Sequence, residues 1–168
     1  VIKLKKYLNN ISKILNGKCI NKKTKRVIKA IIPMHTFGHP IKIKNLLKVS
    51  KQFKLNVIED AAEAIGSYYE NTHVGTFGKI GILSFNGNKT ITTGCGGAVL
   101  TNNKMIAKKV KKLSSICKIH NQWEQNYSCV GYNYSMPNIN AALGCAQIQN
   151  INKLIKSKRK LFYKYSIA

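Results

Sequence analysis

A strand–helix–strand pattern early in the chain constrains its fold more than any other feature. Residues 27–32 form an apolar run that predicts a buried strand, and residues 43–53 place apolar side chains at helical spacing. A second short apolar run ends at Ile58. A helix between two strands of one sheet predicts a parallel pair with a right-handed connection. The sequence therefore predicts an α/β fold, with a mostly parallel sheet and helices on both faces.

Periodicity elsewhere predicts further helices. Residues 1–17 have apolar side chains at helical spacing, and Gly17 is a typical C-terminal stop. Residues 19–26 are polar and basic, which predicts a surface loop. Helical spacing recurs in residues 102–116, 138–149 and 152–165.

Acidic residues follow the strand that ends at Ile58. Glu59 and Asp60 come at its carboxyl end, and Glu63 lies close behind them. The chain has only five acidic residues, and three of them fall within these five positions. In open α/β sheets, ligands bind just beyond the carboxyl ends of the strands. The cluster therefore predicts a ligand site at this edge of the sheet.

A lysine follows another predicted strand. Residues 80–85 are apolar and predict a buried strand, which the small polar residues 86–88 end. Lys89 comes next, before a second turn-rich patch. Desolvation lowers the pKa of a lysine, and an uncharged amine attacks carbonyls to form a Schiff base. Because the chain has 27 lysines, a merely solvated Lys89 is the alternative.

A strand-end aspartate and a lysine just after another strand suit pyridoxal phosphate. Asp60 would keep the pyridine nitrogen protonated, which makes the ring an electron sink, and Lys89 would carry the cofactor. The two residues are 29 positions apart, but a parallel sheet brings its strand ends to one edge. We therefore predict that they face each other across the ring, several ångströms apart.

Four segments carry a resemblance to a known family. They are IPMHTFGHP (32–40), VIEDAAEAIGSYY (57–69), GTFGKIGILSFNGNKTITTGCGG (75–97) and GYNYSMPNINAALGCAQ (131–147). On these segments, the chain resembles the DegT/DnrJ/EryC1/StrS family of pyridoxal-phosphate aminotransferases, which act on nucleotide-linked keto-sugars. Within the family it is similar to the branch that makes amino sugars of the legionaminic acid and bacillosamine type.

The resemblance implies a fold and two central roles. The fold is the three-layer large domain of fold-type I pyridoxal-phosphate transferases. Lys89 matches the lysine that holds the cofactor and then serves as general base, and Asp60 matches the partner of the pyridine nitrogen. Glu63 falls near the cofactor's phenolic oxygen in the family, although a carboxylate at that position could instead face the substrate.

The resemblance also implies three peripheral contacts. Ser84 matches a phosphate-binding hydroxyl, and Asn133 matches a residue that reaches the cofactor phosphate of the neighbouring subunit, which implies a homodimer. For both, an ordinary turn hydrogen bond is the alternative. The family has a histidine at the position of His35, which implies substrate binding, and a hydrogen-bonded structural role is the alternative.

The implied reaction is transamination of a keto group on a nucleotide-linked sugar for surface glycan synthesis, with glutamate as amino donor. The chain departs from the family at Ser135, where an arginine is usual, and at Cys95, where a small or acidic residue is usual. The family's N-terminal phosphate loop and C-terminal small domain have no counterpart in residues 1–168, which predicts a single partial domain. The alternative is a non-catalytic remnant of such an enzyme.

Charge and cysteine content bear on partners and location. The net charge is +24, but only two of the 29 basic residues are arginine, the residue favoured in nucleic-acid recognition. We therefore predict no specific nucleic-acid partner. No apolar run reaches the ~18 residues of a membrane span, and no signal peptide is evident. Five cysteines without a CxxC motif argue against a disulfide framework or a metal site and favour the reducing cytoplasm.

Overall fold

The computed structural model describes residues 1–119, 123–124 and 126–167. The chain divides into two compact units, Val1–Leu83 and Ser84–Ala168. Compact units reflect internal packing, so the single partial domain predicted from the sequence stays a prediction.

The first unit contains two helices and most of the strands. In chain order these are α1 (Ile2–Ile11), β1 (Ser12–Leu15), β2 (Lys18–Asn21), β3 (Val27–Ile28), β4 (Ala30–Ile31), α2 (Ile43–Gln52), β5 (Asn56–Asp60), β6 (Tyr68–Tyr69), β7 (Thr72–His73) and β8 (Ile80–Ser84). A 3-10 turn, Thr36–Gly38, lies between β4 and α2. The last residue of β8 already belongs to the second unit.

Three strands of the first unit are parallel, as the sequence predicted. β4 pairs with β5 through Ile31 and Val57, and β5 pairs with β8 through Asp60 and Ile82. β5 is therefore the middle strand of the three. The helix α2 connects β4 to β5, which confirms the predicted strand–helix–strand unit. The predicted strand 27–32 is divided, because Val27–Ile28 pairs antiparallel with β2 and only Ala30–Ile31 joins the parallel sheet.

The core of this unit lies between α2 and β5. Apolar residues recur on one face of α2, so Ile43 and Leu46 are buried with Val57 of β5. Val49, from the same helix face, joins a neighbouring cluster with Leu8 of α1. Burying one such side chain contributes about 1.5–3 kcal/mol. This packing holds β5 against the helix and sets the position of the strand's carboxyl end.

The structure corrects the prediction for the first twenty residues. The helix α1 ends at Ile11, and β1 and β2 form an antiparallel hairpin where a longer helix and a loop were predicted. Asn16 and Gly17 have φ values of 48° and 72°, the left-handed pair that a two-residue hairpin turn requires. Gly17 therefore makes a strand turn, and the helical period before it was misleading.

The described residues of the second unit form three helices and short strands. These are β9 (Gly97–Leu100), α3 (Lys104–Ser114), β10 (Lys118–Ile119), β11 (Asn126–Tyr127), α4 (Asn138–Gln149) and α5 (Ile151–Ser166). All three predicted helices are confirmed, with ends that differ by a residue or two. Asn103 caps α3, because its Oδ1 accepts from the N–H groups of Met105 and Ile106, both at 3.0 Å.

A disulfide joins Cys117 to Cys129 in this unit. It contradicts the prediction from the cysteine count, which argued against a disulfide framework, because pairing depends on which cysteines the fold brings together. Cys19, Cys95 and Cys145 are free. Within the described ranges, every helix is too short or too polar to cross a membrane.

Candidate active site

Asp60 lies at the carboxyl end of β5, between two parallel neighbours. Its N–H donates to the Pro33 carbonyl at 2.9 Å, and its own carbonyl accepts from the His35 N–H at 3.0 Å. The side chain is half-buried, and Oδ1 accepts from the Ala62 N–H at 3.1 Å. A carboxylate has about four acceptor sites, so this contact leaves capacity for a protonated ring nitrogen. Asp60 therefore fits its predicted role as partner of the pyridine.

Glu59 precedes Asp60 and is fully buried, with 0% of its surface exposed. Its Oε2 lies 3.0 Å from His35 Nε2 and accepts from the Gly75 N–H at 2.8 Å, and its Oε1 accepts from the Gly78 N–H at 2.6 Å. Burial raises the pKa of Glu59, but the bonds from the imidazole and the two backbone amides outweigh burial, so the pKa lies below its ordinary value of 4.5. Glu59 therefore stays ionised in the interior.

His35 is almost completely buried, with 1% of its surface exposed. Its Nε2 faces Glu59, and its Nδ1 accepts from the Ile41 N–H at 3.3 Å. Both ring nitrogens thus have partners inside the first unit, which favours the hydrogen-bonded structural role. The substrate contact implied for His35 stays a prediction.

Glu63 lies at the surface and holds a strained loop residue. Its Oε2 accepts from the Phe37 N–H at 3.0 Å. Phe37 has φ of 50° and is 82% exposed. The next residue, Gly38, has φ of 79°, and a Cβ there would lie 2.9 Å from the Glu63 carbonyl oxygen, so only glycine fits. The carboxylate is accessible, and both roles considered for Glu63 stay predictions.

Lys89 is half-buried in the turn that follows β8, in the second unit. Its N–H donates to the Asn86 carbonyl at 3.0 Å, and the Asn86 N–H donates to Ser84 Oγ at 3.3 Å. The Ser84 hydroxyl therefore takes part in a turn hydrogen bond. A hydroxyl has a donor hydrogen as well as acceptor sites, so this bond is compatible with the predicted phosphate contact of Ser84.

Two polar side chains of α4 hold the segment after Lys89, and neither was predicted from the sequence. The Thr92 N–H donates to Gln147 Oε1 at 2.9 Å, and Asn140 Nδ2 donates to the Thr93 carbonyl at 2.5 Å. The partners are 55 and 47 positions apart, so no local pattern reveals them. The one available signal was that both side chains fall in the segment 131–147, which carries the resemblance.

Asn133 is exposed and lines a cleft of about 500 Å³ in the second unit. Cys95 and Ser135, the two positions at which the chain departs from its family, line the same cleft. The Ser135 hydroxyl donates to the Ser114 carbonyl at 3.2 Å. The contact of Asn133 with a neighbouring subunit's cofactor stays a prediction.

The six predicted residues are distributed over both units. Those of the first unit are His35, Asp60 and Glu63, and those of the second are Ser84, Lys89 and Asn133. A carboxylate, an amine and a hydroxyl are the groups that pyridoxal phosphate needs, so the residue chemistry fits this cofactor. In the part of the chain that the structure describes, His, Cys, Asp and Glu form no group of three suited to a metal ion.

Proteins of known class match this chain over most of its length. It is 42% identical over 151 residues to the GDP-perosamine synthase of Escherichia coli O157:H7, covering 88% of this chain and 41% of the relative. It is 36% identical over 143 residues to EpsN of Bacillus subtilis, described as a putative pyridoxal phosphate-dependent aminotransferase, covering 83% of this chain and 36% of the relative. The chain thus spans about two fifths of these curated relatives.

Solved structures agree with the sequence matches. PseC of Helicobacter pylori, an aminotransferase of pseudoaminic acid biosynthesis, matches with a TM-score of 0.71 and 31% identity, over 74% of this chain and 34% of its own. A Brucella abortus DegT DnrJ EryC1 StrS aminotransferase matches with a TM-score of 0.76 and 27% identity, over 86% of this chain and 38% of its own. The predicted fold of the pyridoxal-phosphate transferases is confirmed.

The family assignment follows from how much of the chain matches as well as from the sequence identity to relatives. Residues 5–168 match the family's sequence pattern, which includes the turn that carries Lys89 and the strand end that carries Asp60. This chain belongs to the DegT/DnrJ/EryC1/StrS aminotransferase family.

Proposed function

We propose that this chain is the cofactor-binding part of a pyridoxal-phosphate aminotransferase that acts on a nucleotide-linked keto-sugar. The observation that carries the proposal is the half-buried carboxylate of Asp60 at the carboxyl end of the middle parallel strand. The family membership and the half-buried Lys89 support it. When bound, the cofactor supplies an electron sink for the carbon that gains or loses the amino group.

Each residue then has a defined task. Asp60 accepts a hydrogen bond from the ring nitrogen and keeps it protonated. Lys89 would hold the cofactor through its amine, and the same amine would move a proton as general base. Ser84 and Asn133 donate hydrogen bonds to the phosphate, with Asn133 reaching across a homodimer. Glu63 lies toward the phenolic oxygen or the substrate.

The relatives suggest the substrate class. The perosamine synthases are named for a GDP-linked amino sugar, and PseC is described as acting in pseudoaminic acid biosynthesis. We propose a keto group on a nucleotide-linked sugar as substrate, an amino acid such as glutamate as donor, and surface glycan synthesis in the cytoplasm as the setting. The diffuse lysine charge binds polyanions weakly under this proposal, without a specific nucleic-acid partner.

The test is covalent labelling of the purified full chain. Pyridoxal phosphate is added, the adduct is reduced with borohydride, and the labelled peptide is identified by mass spectrometry. We expect the label on Lys89 and its loss in Lys89→Ala, whereas Lys153→Ala, at an exposed position of α5, retains it. Asp60→Ala should weaken cofactor binding. Labelling spread evenly over surface lysines would contradict the proposal.

A non-catalytic remnant is the second candidate. Ser135 favours it, because its hydroxyl contacts the Ser114 carbonyl where the family's arginine would supply an anion contact. Cofactor binding at Lys89 without turnover of any tested nucleotide-linked keto-sugar would support this candidate. Turnover by the full chain would exclude it.

A further inference from the structure

The pair of Glu59 and His35 places a carboxylate in the interior of the first unit. Both side chains are fully buried in the described part of the first unit. Desolvating a carboxylate costs several kcal/mol, and well-packed apolar residues at such places often stabilise a protein as well or better. The question is therefore what this pair does besides stabilising the fold.

The hydrogen bonds define the charge state of the pair. The Ile41 N–H donates to His35 Nδ1, so this nitrogen carries no hydrogen. Nε2 then carries the hydrogen of a neutral imidazole and donates it to Glu59 Oε2 at 3.0 Å. The pair is thus a single negative charge surrounded by three N–H donors, from His35, Gly75 and Gly78.

These contacts fasten two loops to the end of β5. His35 makes two hydrogen bonds to the end of β5. Its ring Nε2 donates to Glu59, and its backbone N–H donates to the carbonyl of Asp60 at 3.0 Å. On the other side, a Cβ on Gly78 would lie 2.7 Å from the Val57 carbonyl oxygen, so the loop backbone packs directly on the strand. The carboxylate of Glu59, the strand neighbour of Asp60, therefore binds both loops.

Strand geometry links the two acidic neighbours. Successive side chains of a strand point to opposite faces, so Glu59 turns inward where Asp60 turns to the other face. Any shift of Glu59 along the strand moves Asp60 with it. A hydrogen bond to a ring nitrogen requires placement within a few tenths of an ångström, which an unanchored strand end does not provide.

We infer that Glu59 and His35 are positioning residues, which hold the carboxylate of Asp60 where it meets the ring nitrogen of the cofactor. The inference rests on the proposed function, because it assigns Asp60 to that nitrogen. It predicts that loss of the pair weakens recognition of the nitrogen specifically, beyond any loss of stability.

The first experiment needs no cofactor. Amide hydrogen exchange is measured by NMR on the full chain, on Glu59→Gln and on Glu70→Gln, the matched change at an exposed carboxylate. We expect exchange at the Asp60 and His35 amides to rise about tenfold or more in Glu59→Gln, as the loss of a bond to a charged group predicts. Glu70→Gln should leave both amides as in the wild type.

The second experiment measures how much the ring nitrogen contributes to cofactor binding. Binding of pyridoxal phosphate is compared with binding of its deaza analogue, in which a C–H group replaces that nitrogen. We expect the wild-type chain to prefer the natural cofactor by about tenfold or more, and Glu59→Gln to lose most of this preference. A purely structural role would weaken both ligands equally and leave their ratio unchanged.

Two substitutions at His35 test the inference even if the Glu59 variant misfolds. His35→Gln keeps an N–H donor for Glu59 and should retain the preference, whereas His35→Leu removes the donor and should lose it. The inference is overturned if Glu59→Gln and His35→Leu keep both the wild-type preference and wild-type exchange at Asp60. A wild-type chain without any preference would refute the proposed function instead, and the exchange data would then decide whether the pair holds Asp60.

Discussion

The two compact units hold their predicted site residues by different means. In the described chain, all the clusters of buried apolar residues lie in the first unit, and Asp60 is the last residue of β5, a strand packed on one of them. In the second unit, α3, α4 and α5 bury none of their described residues, and the turn after Lys89 is held by polar side chains of α4. A strand packed on a buried core keeps its place when one surface contact is lost, whereas a turn held by polar side chains depends on each of its hydrogen bonds.

Alanine substitutions at two leucines, one in each unit, test this difference and should give the greatest change in stability. Leu46 of α2 is 3% exposed, whereas Leu143 of α4 is 43% exposed. Leu46→Ala should lower the free energy of unfolding by about 2–5 kcal/mol, because it removes transfer energy and leaves a cavity. Leu143→Ala should change it by less than about 0.5 kcal/mol. Urea unfolding followed by circular dichroism measures both, and equal losses would contradict the comparison.

The disulfide should matter next. Cys117 and Cys129 close a loop with a sequence separation of 12, and chain entropy assigns such a cross-link about 3 kcal/mol. Cys129→Ser should therefore destabilise the second unit, while Cys145→Ser, at a free exposed cysteine, should not. Hydrogen exchange should place the change around Ser115 and Asn133, which form a bridge beside the loop. If stability and hydrogen exchange in the second unit are the same in Cys129→Ser as in the wild type, the disulfide does not stabilise its turns.

Acid should act on the first unit through Glu59. The pKa of its carboxyl lies below the ordinary value of 4.5 in the folded chain, so its contribution to stability is complete above that pH and is lost as the pH falls through the folded pKa. Glu59→Gln should cost about 1–3 kcal/mol at neutral pH and flatten this acid dependence. Thermal unfolding between neutral and acidic pH measures both effects. If the stability of Glu59→Gln depends on pH as that of the wild type does, other carboxyl groups cause the acid dependence.

Loss of the cap at the N-terminus of α3, in the second unit, should change stability least. The Asn103 side chain caps α3, so Asn103→Ala should cost about 1 kcal/mol. Amide exchange at Met105 and Ile106 should rise, whereas the neighbouring change Asn102→Ala should leave it unaltered. A loss of several kcal/mol would mean that the second unit is more cooperative than its exposed helices indicate.

Local pattern was enough for much of the fold and for the family, and it predicted the site residues. The α2 stripe of apolar residues, the strand before Asp60 and the helices α3 to α5 were all predicted, because side chains on one face repeat at the period of their own element. The family followed from short segments whose residue types match its chemistry. The turn at Asn16 was the exception, where a helical period ran into a hairpin.

Contacts between distant residues were decided by the tertiary structure alone. His35 and Glu59 are 24 positions apart, and Gln147 reaches Thr92 over 55 positions. A hydrogen bond between such residues leaves no periodic trace in the sequence, because it depends on how strands and loops meet after folding. For that reason, the sequence on its own predicted the cofactor-binding residues, whereas only the tertiary structure brought His35 and the amides of Gly75 and Gly78 to the buried carboxylate of Glu59, the strand neighbour of Asp60.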